Sequence, residues 1–525
     1  MPGFLMTQSE TLRTILTVLS VIGIANFYGR IRKTGRCNQP AAHAFMRIHA
    51  TILITSIGLL AGYQARWQLF GFFSSDFLRV QRGFDPRDDI LGTRFMRGDI
   101  LDWKHRVLAR DVRVDAKLLR EYPIGAAGVH PVGYISSVYG AAGVEKELDP
   151  VLMGRAVQTP ADLFRLSANV FFHGKLRGNP IVLTLDRDLQ QEAWNALDGC
   201  IGAIVALDPR DGSIRAMSSR PGFDPSRLDG SHWNTLIRRA DSPFLNRGSQ
   251  GLYPPGSTFK PMVAVTALSR DMHPVFVCGP DGYSSGPSDP RIRDHESVDR
   301  KGFKGHGSIN LSDALKRSCN VYFAQLAVAI GAPAILETAE KAGFHCVIPY
   351  AGPGVPGVAG RLPDHQTWHD AYTARFGIGQ DDLLLTPLHL ALAAGAIGHG
   401  GIMNRPKLVE GNDTILWSTL TDYRTANRVA RMMISVVETG TGQKAQVSGI
   451  VVGGKTGTAE TASGRSHSLF IGFAPWPRPA LAVAVVVENG GYGGQVAAPI
   501  AGRLIACADH LGLLEDTERV HVGNE

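Results

Sequence analysis

Two apolar runs open the chain, over residues 14–28 and 50–65, each slightly short of the ~20 residues that span a bilayer comfortably. Between them stand Arg30, Arg32, Lys33, Arg36 and Arg47, with no acidic residue from position 29 to 47. That bias predicts a cytoplasmic loop. The second run then leads outward, and everything after Trp67 is expected on the far side of the cytoplasmic membrane. No small-residue cleavage site follows, so residues 1–67 read as an uncleaved anchor with one or two spans.

The pattern changes downstream. Residues 203–208 and 213–219 are two β-type runs, joined by Pro209-Arg210-Asp211-Gly212, a strong hairpin signal. Residues 179–186 read as a strand and 188–197 as a short amphipathic helix. Apolar positions recur at helical spacing over 260–268, 311–330 and 427–439. Three strand patterns follow at 450–458, 469–474 and 480–488, and a helix over 498–510 closes the series. Polar loops rich in Gly and Pro occupy 279–307 and 350–370. Strands, a helical block, then strands and a helix predict an α+β fold with a mainly antiparallel sheet.

Composition narrows the function classes. With 525 residues and 44% hydrophobic content the chain is not a disordered one. Its net charge of +7 comes without any long Lys/Arg block, so no nucleic-acid partner is expected. Of six cysteines, Cys37 falls in the basic loop. Cys200, Cys278, Cys319, Cys346 and Cys507 are widely spaced and lack a C-x-x-C pair. That spacing gives neither a zinc pattern nor a clean disulfide framework.

Three short motifs carry chemistry. Pro255-Gly256-Ser257-Thr258-Phe259-Lys260 contains Ser-x-x-Lys, which puts Ser257 and Lys260 on one face of a helix start. A serine needs a base to become a nucleophile, and a lysine is a base only where burial or nearby positive charge lowers its pKa. Ser318-Cys319-Asn320 offers a hydroxyl that can relay a proton and an amide with donors and an acceptor. Gly453-Gly454-Lys455-Thr456-Gly457-Thr458 places Lys-Thr-Gly on a strand. There Gly457 admits a substrate close to the backbone, and Lys455, Thr456 and Thr458 suit a carboxylate. Each motif alone is common; their order, with the first heading a helix and the third on a strand, is not.

In that order the motifs resemble those of the penicillin-binding proteins. Arg97-Gly98-Asp99-Ile100 with Leu108-Ala109 is similar to the box that opens the pedestal of class B members. The family usually continues with Asp-Arg-Asn-Gly, where this chain has Asp102-Trp103-Lys104-His105. Thr184-Leu185-Asp186, Gln190-Gln191 and Val205-Ala206-Leu207-Asp208-Pro209 resemble the entry to the transpeptidase domain. Asn246-Arg247, Tyr253-Pro254, His306-Gly307, Gly377-Ile378-Gly379-Gln380, Thr386-Pro387 and Phe473-Ala474-Pro475 are also similar. The likeness runs from about Arg47 to Gly512 and looks most like short, actinobacterial-type class B proteins.

The resemblance implies a penicillin-binding fold, with an anchor over 1–67, a pedestal over 68–180, a transpeptidase domain with a helical subdomain over 181–515, and a tail over 516–525. It implies a serine D,D-transpeptidase in which Ser257 attacks the penultimate D-Ala carbonyl of a peptidoglycan stem peptide. Lys260 takes its proton, Ser318 and Lys455 manage the leaving amine, and Asn320 holds the peptide amide. Thr456 and Thr458 bind the terminal carboxylate, and the backbone N–H groups of Ser257 and Thr458 form the oxyanion hole. β-Lactams would trap the acyl state. The reaction implied needs no metal or organic cofactor. Strand polymerisation would fall to a membrane glycan polymerase of the shape, division or sporulation family.

Three rivals share the chemistry. A class A β-lactamase needs a deacylating glutamate, and none of Glu337, Glu340, Glu410 and Glu438 has the Asn four residues on that this requires. A D,D-carboxypeptidase would pass the acyl group to water, and the pedestal speaks against it. A membrane β-lactam sensor usually lacks that pedestal. His306 and His467 read as polar caps, Cys319 as a buried inert thiol and Glu460 as a solvated strand-end charge.

Overall fold

The computed structural model describes residues 95–114, 117–136, 138–154, 176–228, 230–287, 289–299, 302–364, 367–460 and 464–515, with Thr51, Thr55 and Gly58. The expected anchor lies outside the described residues apart from those three, which are helical. Among the described residues no single helix is long and apolar enough to cross a membrane.

The pedestal is built on a four-stranded sheet of β1 (Ile100–Leu101), β2 (Val107–Val114), β3 (Lys117–Glu121) and β4 (Ile181–Val182), in the order β3-β2-β1-β4. An ion network holds its end. Arg97 Nε meets Glu145 Oε2 at 2.6 Å, and Arg120 Nε meets Glu145 Oε1 at 2.7 Å. Arg120 also reaches Asp111 at 3.1 Å. The Glu145 side chain has no exposed surface and the two guanidiniums almost none. Asp102-Trp103-Lys104-His105 closes its turn without the family's usual residues. Asp102 Oδ1 accepts from the N–H groups of Lys104 and Arg106 at 3.0 and 2.7 Å, and His105 takes the left-handed conformation at φ 59°. The strand expected over 179–186 is shorter than its pattern. Asp186 turns away to cap the next helix, accepting from Asp188 N and Leu189 N.

That helix is α1 (Arg187–Ala196), followed by the predicted hairpin of β5 (Gly202–Leu207) and β6 (Ile214–Arg220). The 3₁₀ turn Gly256–Phe259 runs into α2 (Lys260–Ser269). A small antiparallel pair of β7 (Phe276–Cys278) and β8 (Gly307–Ile309) precedes α3 (Leu311–Arg317) and α4 (Asn320–Ile330). After helices over Ala332–Lys341 and Asp370–Gly377 come α5 (Pro387–Gly398) and α6 (Tyr423–Thr439). The chain ends its fold with β9 (Gly453–Ala459), β10 (His467–Ala474), β11 (Leu481–Val487) and α7 (Ala497–His510).

The main sheet has the order β6-β5-β11-β10-β9, antiparallel throughout. Its side chains sort by the two-residue strand period into two cores. Val205, Leu207, Ala482, Ala484 and Val486 face the core that includes α5. Ile204, Ala206, Val483 and Val485 face a second core with Leu189 of α1 and Leu504 and Ile505 of α7. Covered on both faces, β11 is buried at all seven positions, which is why Leu-Ala-Val-Ala-Val-Val-Val carries no polar residue. α5 is buried at all twelve. Pro387 at its start needs no N–H partner, and the Thr386 hydroxyl accepts from His389 N at 3.2 Å.

One expected element divides. The pattern over 311–330 predicts one helix; the chain instead makes α3 and α4, with Ser318 in the left-handed conformation at φ 61° between them. Cys319 N–H closes α3 on Ala314 O at 2.9 Å, and Cys319 Sγ caps α4 by accepting from Tyr322 N–H at 3.2 Å. No Gly or Pro marks this joint, so apolar spacing runs straight through it.

Replacing Glu145 by Ala removes the carboxylate that the two enclosed guanidiniums share, leaving Arg97 only Asp149 and Arg120 only Asp111. Removal of one partner of such a buried pair costs about 3–5 kcal/mol. The Glu145→Ala chain is expected to lose unfolding free energy of that size in denaturant titration; a loss below about 1 kcal/mol, the scale of exposed pairs, would contradict the network's role.

Candidate active site

A cleft of about 1160 Å³ opens on the molecule, lined among others by Ser257, Ser318, Asn320, Thr456 and Thr458. Its floor is set by backbone contacts that only glycine permits. Gly256 has φ +52°, and a Cβ there would stand 2.8 Å from Thr458 O. The Gly256 N–H donates to Gly379 O at 2.9 Å. A Cβ on Gly379, itself at φ +75°, would stand 2.0 Å from Gly256 O. From β9, a Cβ on Gly457 would meet Thr258 Cγ2 at 2.7 Å and Pro255 O at 3.0 Å. The nucleophile turn is thus clamped between the Gly379 loop and the edge strand β9, backbone against backbone.

Lys260, the first residue of α2, has no exposed surface. Its ammonium donates to Ser318 O at 2.6 Å and to Asn320 Oδ1 at 2.7 Å, and lies 3.4 Å from Ser318 Oγ. Lys455, on β9, is equally enclosed. It donates to Ser318 Oγ at 2.8 Å and to Thr456 O at 2.9 Å. The left-handed turn at Ser318 puts that hydroxyl between two lysines from different elements, in a backbone state uncommon for a residue other than glycine.

Burial dominates the electrostatics. It lowers Lys260 to about 8, against the pull of the Asp294 carboxylate and the thiols of Cys319 and Cys278. Burial and the neighbouring Lys260 charge push Lys455 well below the ordinary lysine range.

The structure brings Ser257, Lys260, Ser318, Asn320, Lys455, Thr456, Gly457 and Thr458 to one cleft and its floor. It adds residues that the motifs do not mark. The Thr456 hydroxyl meets that of Thr441 at 2.7 Å. Asp294 caps α4 by accepting from the backbone N–H of Asn320. The Asn320 amide donates to Arg293 O at 2.9 Å, which fixes its oxygen toward Lys260. Under the cleft Arg247, almost fully buried, pairs with Glu488 at 2.7 Å, and the Tyr253 hydroxyl donates to the same carboxylate at 2.8 Å. Thr441 had a faint signal, the Thr-Gly-Thr-Gly run that ends α6; Asp294, in a polar loop, had none. His306 is no simple loop cap, because both its ring nitrogens face acidic groups, Nε2 meeting Glu296 at 2.7 Å and Nδ1 lying 3.4 Å from Asp294.

Comparison with known proteins agrees with this geometry. Residues 202–506 match the penicillin binding protein transpeptidase domain, and residues 97–170 the penicillin binding protein A dimerisation domain. The chain is 32% identical to the peptidoglycan D,D-transpeptidase PbpA of Mycolicibacterium smegmatis, over 88% of this chain and 98% of that protein. It is 30% identical to the peptidoglycan D,D-transpeptidase MrdA of Acinetobacter baumannii, over 74% of this chain and 65% of that one. The ceftriaxone acyl-enzyme complex of penicillin-binding protein A from M. tuberculosis superposes with a TM-score of 0.71 at 29% identity, over 80% of this chain and 99% of that one.

Two predictions follow from the geometry. Because Lys260 accepts a proton only when neutral, the rate of acylation by penicillin is expected to rise with pH and level off above about 8; stopped-flow measurement showing a flat profile between pH 6 and about 9 would contradict it. Gly457→Ala pushes β9 off the nucleophile turn, and the acylation rate should fall by roughly 10²–10³, the loss typical of one misplaced oxyanion donor. An unchanged rate in the folded variant would show that the close approach is dispensable.

Proposed function

Because the chain belongs to the class B penicillin-binding proteins, we propose that it is a serine D,D-transpeptidase that cross-links peptidoglycan stem peptides through an acyl-serine on Ser257. The observation that carries this reading is the convergence of two enclosed lysines on Ser318, Lys455 on its hydroxyl and Lys260 on its carbonyl and hydroxyl, at the wall of a cleft that Ser257 also lines.

Each step has a group to perform it. Neutral Lys260 takes the proton from Ser257 Oγ as the oxygen bonds to the penultimate D-Ala carbonyl. The backbone N–H groups of Ser257 and Thr458 stabilise the oxyanion. The proton returns through Ser318 to the departing nitrogen as the bond to the terminal D-Ala breaks, and Lys455 sets the polarity of that hydroxyl. Asn320 holds the peptide amide, while Thr456 and Thr458 receive the terminal carboxylate. Thr441 and Gly493 support those two hydroxyls, the latter donating to Thr458 Oγ1 at 3.3 Å. The amine of a second stem peptide then attacks the ester, forms the cross-link and frees Ser257. A β-lactam follows the first step but leaves no departing fragment, so the acyl state persists.

The reading extends to place and partner. The two apolar runs and the basic loop between them support an anchor in the cytoplasmic membrane, with the catalytic domain outside. The matched domains are a dimerisation and a transpeptidase domain. This supports a separate membrane glycan polymerase as partner.

Incubating the full chain with a fluorescent penicillin should give a stable covalent label that Ser257→Ala abolishes, and stem peptides with an acceptor amine should yield dimers with release of D-Ala. Labelling that survives in Ser257→Ala would sink the nucleophile. D-Ala release with no dimer formation would turn the reading to a carboxypeptidase.

A further inference from the structure

One wall of the cleft carries charge that the catalytic steps do not use. Arg291, Ile292 and Arg293 line it beside Asn320. Ile292 is held by a reciprocal backbone pair with Tyr283, each N–H donating to the other's carbonyl at 2.8 Å. A Cβ on Gly282 would stand 2.4 Å from Ile292 O, so the two segments meet main chain against main chain. One residue on, the Arg293 carbonyl accepts from the Asn320 side-chain amide at 2.9 Å. The segment is thus a fixed ledge. Arg291 and Arg293 stand on either side of the bridged residue, the spacing that puts two side chains on one face of extended chain. Both are exposed, and among the described residues neither forms an ion pair. The rest of the lining does not cancel them. Arg375 and Arg465 add guanidiniums, the acidic groups are Asp381 and Glu460, and Asp381 lies 3.9 Å from Arg375. A cleft with this excess of positive charge concentrates anions.

Asn320 fixes which part of a substrate meets the ledge. Its side-chain oxygen is taken by Lys260 and one of its two amide N–H groups by the Arg293 carbonyl. The second N–H remains for the substrate. On the transpeptidase reading, on which this inference rests, that N–H holds the peptide amide on the upstream side of the penultimate D-Ala. Thr456 and Thr458 take the terminal carboxylate at the other end. The residue upstream of the two D-Ala units therefore lies one hydrogen-bonded group away from Arg293.

We infer that Arg291 and Arg293 are specificity-determining residues that select an anionic acyl donor, binding a free carboxylate carried upstream of the two D-Ala units. A guanidinium presents a planar fork of N–H donors that matches both oxygens of a carboxylate. A primary amide has one oxygen and turns its own N–H donors toward that fork, so amidation of the same group removes both the charge and the geometric match. The carboxylate comes from the side chain of the first upstream residue or from the residue before it; the chemistry at the ledge is the same for either.

The test uses the full chain in detergent and two penicillins with side chains of equal length, one ending in a carboxylate and one in a primary amide. That side chain leaves the lactam on the upstream side and enters the ledge. The carboxylate form should acylate the chain roughly tenfold faster at low salt, and the ratio should shrink as added salt screens the charges. The double variant Arg291→Gln, Arg293→Gln should bring the ratio close to unity, and Arg293→Lys should keep more of it than Arg293→Gln. Because the ratio is taken within each variant, a mere loss of support for Asn320 slows both penicillins and leaves it unchanged. Donor peptides then locate the group. One carries its carboxylate on the first upstream residue, the other on the residue before, and the one whose D-Ala release falls on amidation in the parent chain but not in the double variant holds the bound group. Equal acylation by the two penicillins in the parent chain, or a preference that survives in the double variant, overturns the proposal. Failure of both penicillins to acylate would sink the nucleophile and this inference together, whereas D-Ala release without dimer formation would change the transpeptidase reading and leave the ratio as predicted.

Discussion

Lys260 and Lys455 are enclosed without exposed surface and both reach the Ser318 hydroxyl. An isolated ammonium moved out of water costs several kcal/mol even after relaxation, so two of them cannot both stay charged there. Burial lowers the pKa of both, and carbonyl, amide and hydroxyl oxygens surround the two nitrogens. That constraint makes a base out of a lysine. It also explains why the surrounding parts are rigid: the left-handed Ser318, the cap of Asp294 on α4 and the register of β9 all serve to fix oxygens around two nitrogens.

The second constraint is proximity of backbone. The nucleophile turn sits on a helix start and its oxyanion partner on a strand edge, elements that pack through side chains elsewhere in the molecule. Here Gly256, Gly379 and Gly457 remove the side chains, and main chain meets main chain. Such contacts have little freedom to slide, so the two N–H groups keep their relative place. The doubly covered sheet behind them supplies the stiffness, since β10 and β11 are buried almost throughout.

Between these two sits the joint of α3 and α4. It serves the cleft with Ser318 and Asn320, and Cys319 between them caps α4. The neighbouring residues Arg293 and Asp294 both hold Asn320, the first accepting from its side-chain amide and the second from its backbone N–H.

Much of this was legible in the sequence. Short apolar runs bounded by turn residues marked the β5–β6 hairpin and the three closing strands to within a few residues, because strands covered on both faces carry few polar positions. The three motifs named Ser257, Lys260, Ser318, Asn320 and Lys455, because their chemistry is local in the chain. Other features had no local mark. The break at Ser318 lies inside continuous apolar spacing and is made by capping groups instead of Gly or Pro. Asp294 and Thr441 matter only through what folds against them. The cysteines carried no recognisable spacing, yet Cys278 and Cys319 stand 3.2 Å apart with His306 and Asp294 beside them. The sequence by itself determined which elements form and which groups react. Only the tertiary structure decided which groups share a desolvated space, because pKa shifts arise from atoms that the chain brings together across tens or hundreds of residues.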